Sequence, residues 1–148
     1  MKTEVYQVNN SMSMDPMHDS YVDEIRIENN SLIIVYDKLD EGVLGPDGMP
    51  YYQSKKLTVK YEFQTHCDGK FYYSKNKYLW IDMLDDENKF NKITKDCIFM
   101  SYKYSVDSFN EIILDFGIHK GSRNQYKKYK YWGLEISLDA TDITYIWE

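Results

Sequence analysis

The chain predicts a mainly β, antiparallel domain: a sandwich, or a strongly curled and partly open barrel, of about eight strands with at most one short helix. Two observations carry this. Leu57, Val59, Tyr61 and Phe63 alternate with Lys56, Thr58, Lys60 and Glu62, and Trp132, Leu134, Ile136 and Leu138 alternate with Gly133, Glu135 and Ser137. That is the two-residue period of a half-buried strand, not the 3.6-residue period of a helix. The composition is 16% aromatic with 15 Tyr, and aromatic side chains suit pleated surfaces, where they pair across strands with their hydroxyls at the rim. At 148 residues the chain fits one domain, burying roughly two-thirds of its unfolded surface without needing a disulfide or metal staple.

Taken in order, residues 1–17 are polar and Met-rich, with Asn9-Asn10-Ser11 and Asp15-Pro16 as loop signals, and predict a loosely ordered start. The single β-rich domain is expected to span 18–148. Tyr21 to Glu28 and Leu32 to Asp37 read as strands joined at Asn29-Asn30-Ser31, where Asn tolerates the left-handed backbone of a tight hairpin. Apolar residues on both faces of the second run place it centrally in the sheet. Asp40 to Pro50 holds three Gly and two Pro, which predicts an exposed loop. Asp68-Gly69 predicts a two-residue hairpin between Leu57 to Phe63 and Phe71 to Tyr73. Tyr78 to Leu84 reads as a strand, and Asp85-Asp86-Glu87 ahead of Phe90 and Ile93 gives the acidic first turn of a short helix. Cys97 to Tyr104 and Glu111 to Ile118 return to alternation, with Ile112, Leu114, Phe116 and Ile118 on one face. Lys120 to Asn124 is a loop. Tyr131 to Leu138 and Ile143 to Trp147 predict a third hairpin across Asp139 to Asp142.

The net charge of −6 argues against attraction to nucleic acid or an anionic membrane and in favour of a basic partner. No apolar run reaches signal-peptide or membrane-spanning length, so the expected location is the cytoplasm. Cys67 and Cys97 lack Cys-x-x-Cys spacing and are expected to be reduced, with Cys97 buried beside Ile98 and Phe99.

The residues that carry chemistry do not assemble into a familiar site. His18-Asp19-Ser20 holds the residue types of a hydrolytic triad, but three adjacent residues cannot form its line of hydrogen bonds. Turn-capping by Asp19 and Ser20, with His18 over the sheet edge, is the expected role. His18, His66, Cys67, Asp68 and His119 include the usual zinc donors, yet no spacing makes a compact site, and adjacent His66 and Cys67 leave a strand in opposite directions. No cofactor is predicted. Asp82, Asp85, Asp86, Glu87, Asp107, Glu111 and Asp115 are too numerous to single out an acid–base pair. Gly42, Gly45 and Gly48 lack the Lys and Ser/Thr of a phosphate loop. Arg123 to Trp132 interleaves basic and aromatic residues in a manner suited to single-stranded nucleic acid, but the acidic chain around it weakens that reading, and lysines that guard a strand edge are the expected role, with no nucleic-acid partner.

Met17-His18-Asp19-Ser20, the strand with Ile25 and Ile27, the Asn29-Asn30 turn and Leu32-Ile33-Ile34-Val35 resemble the opening of small cytoplasmic bacterial proteins grouped with toxin-immunity families. Leu134-Glu135-Ile136 and Asp142-Ile143-Thr144-Tyr145-Ile146-Trp147 are similar to their closing strands. The resemblance implies binding without catalysis, an immunity protein seated on a basic toxin domain, and gives His18, Asp19 and Ser20 as a motif of unassigned role. The segment expected to meet the partner is Tyr78, Trp80, Asp82, Asp85, Asp86 and Glu87, aromatic anchors beside acidic charge. A homodimer through an exposed strand edge is a further expectation. Two alternatives stand beside it: a small-molecule-binding barrel lined by Tyr61, Phe63, Trp132 and Tyr145, and an enzyme that gathers His18, His66 or His119 with a carboxylate of raised pKa.

Overall fold

The computed structural model describes residues 2–8, 20–37, 56–118 and 130–148. The strands are β1 (Lys2–Gln7), β2 (Tyr21–Val22), β3 (Glu24–Glu28), β4 (Ser31–Asp37), β5 (Lys56–Ser74), β6 (Lys77–Asp82), β7 (Phe99–Val106), β8 (Glu111–Ile118) and β9 (Gly133–Trp147). Among the described residues there is one helix, α1 (Glu87–Thr94), between β6 and β7. All pairings are antiparallel. The sheet runs β2-β7-β8-β9-β5-β4-β3, with β1 added to β9 and β6 to β5. Its two ends, β2 and β3, are consecutive pieces of chain separated only by Asp23. The sheet therefore curls, but it does not close.

Two long strands organise this shape. The first half of β5 pairs with the second half of β9, from Leu57↔Trp147 to Tyr61↔Ile143, and its second half pairs with the first half of β9, from Cys67↔Leu138 to Tyr72↔Gly133. Register shifts between Tyr61 and Cys67 mark where the sheet bends, as bulges do. Leu57, Val59, Cys67 and Phe71 of β5 meet Ile112, Leu114, Leu134, Ile136, Ile143 and Trp147 in one core. Cys67 and Cys97 are both free and buried, as expected for Cys97.

The Asn29-Asn30 hairpin is present, with both residues at positive φ (50° and 56°), the conformation that fits a twisted hairpin. Helix α1 follows the predicted acidic segment, with Asp86 at its N-cap and Glu87 in its first turn. β4 is buried on both faces from Ser31 to Tyr36, but it lies next to the end strand β3 and not at the sheet's centre.

Several expectations need correction. Asp68-Gly69 is not a turn: β5 continues unbroken through it, and the hairpin closes instead at Lys75-Asn76, with Asn76 at φ 62°. Gly69 serves close approach, since a Cβ there would lie 2.8 Å from Met83 Cε and 3.3 Å from the Phe90 ring. Asp139 to Asp142 is likewise no hairpin but the middle of β9, because Asp139 faces the bulge of β5 and fills its hydrogen bonds. The predicted strand from Tyr21 to Glu28 breaks at Asp23 so that its two pieces serve opposite ends of the sheet. Residues 2–7, expected to be loosely held, form β1 along β9. There Glu4 accepts hydrogen bonds from the Tyr6 hydroxyl (2.6 Å) and Trp147 Nε1 (3.3 Å). The boundary expected at residue 18, His18, Asp19, the 40–50 loop, His119 and Arg123 to Tyr129 lie outside the described residues.

Candidate functional site

The outward face of the sheet is best read in rows across the strands, because residues in register on one face are neighbours. Tyr78, Tyr72, Gly133 and Gly117 form one row. Trp80, Lys70, Glu135, Asp115 and Lys103 form the next, and Asp82, Asp68, Ser137, Ile113 and Ser105 the third. Beyond these, Glu111 opposes Asp139, and His66 emerges from the β5 bulge beside them.

The first row is aromatic. Tyr72 packs against Tyr78 and Trp132 at ring-centroid distances of 5.6 and 5.3 Å, and Lys70 Nζ lies 5.1 Å from the Tyr78 centroid. Glycine at 133 and 117 leaves room for these rings, and the Tyr102 ring lies over Gly117. Alternation along β6 sends Leu79 and Ile81 inward and Tyr78, Trp80 and Asp82 outward. Tyr78 and Trp80 are 45% and 53% exposed.

The third row is acidic. Asp68 and Asp82 are directly opposed on β5 and β6. Burial, with the Asp82 and Glu111 charges behind it, raises the Asp68 pKa against the opposing pull of His66 and Lys70. Asp82 also shapes the chain that follows: its Oδ1 accepts from Leu84 N (2.9 Å) and its carbonyl from Asp85 N and Asp86 N (3.2 and 2.9 Å). The predicted segment therefore divides in two. Tyr78, Trp80 and Asp82 share the outward face of β6, whereas Asp85, Asp86 and Glu87 sit in the turn and first helical residue beyond its end.

A second cluster was not foreseen. His66 Nε2 lies 3.0 Å from Glu111 Oε1, which also accepts the Ser137 hydroxyl at 2.5 Å, and His66 Nδ1 is 3.6 Å from Asp139 Oδ1. Asp139 further accepts from Gln64 N, Thr65 N, the Thr65 hydroxyl and His66 N. Burial alone would raise its pKa, but the Thr65 and His66 hydrogen bonds and the His66 charge outweigh it and hold the group at about 2. The Ser137 hydroxyl is engaged by Glu111, so Ser137 and His66 meet through a shared carboxylate and form no nucleophile–base line. The arrangement pins the bulge at which β5 and β9 bend. The sequence carried one trace of it, a polar run at 64–66 interrupting the β5 alternation.

The other sequence candidates are dispersed. Ser20, beside the undescribed His18 and Asp19, offers its carbonyl to Ser101 N (2.9 Å), a backbone role. Cys67 points inward, where its Sγ lies 3.2 Å from Met83 Sδ, while His66 points outward. Tyr61, Phe63 and Tyr145 are buried, but Trp132 is 57% exposed, which removes it from an interior lining. It turns outward because it joins the Tyr72 row. Among the described residues no group of three or more His, Cys, Asp or Glu is placed to hold a metal ion, and no helix is long and apolar enough to cross a membrane. Compared with known proteins, the chain matches no family model, no curated protein sequence and no solved structure.

Proposed function

We propose that this chain is a non-catalytic protein-binding domain that neutralises a basic partner, in its most concrete form a bacterial toxin domain, and that β6 is the centre of its recognition face. The observation that carries the reading is the exposure of Tyr78 and Trp80 on one strand beside Asp82 and Asp68, with Asp85, Asp86 and Glu87 at the strand's end. Large rigid aromatics supply anchors at low entropic cost, and surrounding carboxylates steer a cationic surface and reject an anionic one. The cytoplasm is the setting that goes with this reading, and two free cysteines suit a reducing compartment.

Affinity capture from the source organism tests it, run in parallel with the wild type, Trp80→Ala and Asp85→Lys/Asp86→Lys. The expected result is one basic partner at equal stoichiometry, lost with either variant. A partner retained by both variants, or none at all, overturns the reading.

The small-molecule alternative draws on one observation: the Tyr104 hydroxyl is buried with no hydrogen-bond partner among the described residues, and its ring lies 6.4 Å from that of Tyr61. Buried polar groups are normally satisfied, so a bound polar molecule there would appear in native mass spectrometry of the purified protein. A mass matching the polypeptide alone counts against it.

A further inference from the structure

The register of the sheet determines which backbone groups of each strand point into it and which point out. Met83 N donates to Cys67 O (2.9 Å), and backbone groups alternate sides along an antiparallel strand. Leu79 and Ile81 therefore bond β5, while the N–H and C=O of Tyr78 and Trp80 point away from the sheet. The same reasoning applied to the hairpin of β3 and β4 turns Ile25 and Ile27 outward. There Asn91 of α1 covers the edge, its side chain accepting from Ile27 N (2.8 Å) and donating to Ile27 O (2.9 Å). An amide side chain thus imitates a neighbouring strand. No described residue does this for Tyr78 or Trp80. A third edge, β1, carries Lys2 and Glu4 on its core-facing side, and inward charge of that kind guards an edge against pairing.

The β6 edge is open and flanked by the exposed aromatics Tyr78 and Trp80, and charge is polarised along it. Lys75 and Lys77 stand at its hairpin end, and Asp82, Asp85, Asp86 and Glu87 at the other. We infer that the partner docks by adding an extended strand along β6, bonded to the backbone of Tyr78 and Trp80, with its basic residues at the Asp82 end. This rests on the protein-binding reading above and deepens it. Main-chain bonding supplies affinity in such a mode, while the flanking side chains supply selectivity. The occupant is fixed by charge complementarity as an extended, cation-bearing protein segment.

The probe is a short synthetic peptide alternating lysine with valine, and a second version N-methylated at every other residue so that one backbone edge is lost. Binding is measured by calorimetry and by amide hydrogen exchange, with Trp80→Pro and Val5→Pro as variants. Each proline removes an outward N–H that bonds nothing in the sheet, so both variants retain the fold. The expected result is binding weakened at least about tenfold by N-methylation, exchange at Tyr78 and Trp80 slowed by the unmethylated peptide, loss of binding in Trp80→Pro and none in Val5→Pro. Equal binding of both peptides, or protection that falls on β1, overturns strand addition. If that equal binding disappears in Asp85→Lys/Asp86→Lys, the acidic-face reading survives on its own. Binding of neither peptide counts against both.

Discussion

Asn91 and Asp139 are single side chains that each complete several backbone groups, and their substitution has definable consequences. Asn91→Leu keeps the volume but strands the N–H and C=O of Ile27, two bonds at 2.8 and 2.9 Å. The expected loss is about 1–3 kcal/mol, read from the denaturant midpoint, together with faster aggregation as the β3 edge is uncovered. An unchanged midpoint would show that water serves Ile27 equally well. Asp139 gives a prediction in pH. Its folded pKa is about 2 against an ordinary 3.8, so folding favours the ionised form. That contribution is present well above pH 3.8, shrinks as pH falls below it and is gone beneath about 2. The stability gap between the wild type and Asp139→Asn, followed by thermal melting, should close over that window. Asp68 has the opposite sign: burial raises its pKa, so protonation in acid relieves a cost of folding.

Elements were legible from the sequence where one signal had one meaning. The Asn29-Asn30 turn, α1, the existence of a strand at β6 and the double-faced burial of β4 followed from local pattern. The two misplaced hairpins arose because turns and bulges draw on the same residues. Asp68-Gly69 and Asp139 to Asp142 are polar and turn-forming, yet each sits within a strand, and only partners remote in sequence reveal this: Met83 and Phe90 for Gly69, and Thr65 and His66 for Asp139. For the same reason Tyr78, Trp80, Asp82, Asp85, Asp86 and Glu87, near one another in sequence, could be grouped in advance although the structure divides them between β6 and the turn into α1, while the His66, Glu111, Ser137 and Asp139 cluster, contributed by three strands, could not. Gly69→Val places methyl groups against Met83 and Phe90 and should cost about 1–3 kcal/mol by overpacking. Hydrogen exchange should accelerate first in α1, whose Phe90 ring packs on Phe71 at 5.6 Å. Uniform acceleration throughout the sheet would show that the helix does not loosen separately.

For the whole molecule, 24 acidic residues against 18 basic ones give a field that acts at a distance on any cationic partner. Surface attraction of this kind is screened within about 8 Å at physiological ionic strength. On the protein-binding reading proposed above, the association rate with a basic partner should fall as salt is added while the dissociation rate changes little, a distinction that stopped-flow mixing resolves. A dissociation rate that carries the salt dependence would place the decisive charges in the buried centre of the interface.

The long strands carry one more consequence. Because β5 and β9 each run through both halves of the sheet, the molecule has no seam along which it divides into self-sufficient parts. Severing the chain at Lys75-Asn76 leaves β5 on one fragment and β9 on the other, each missing the partner that covers it along nearly its full length. The buried cluster draws on both fragments, Leu57, Cys67 and Phe71 from the first and Ile136, Leu138 and Ile143 from the second, and is completed only when they meet. The same bent pair that shapes the fold thus makes this hairpin a natural cut site for a two-piece reporter, silent in its parts and restored by their meeting.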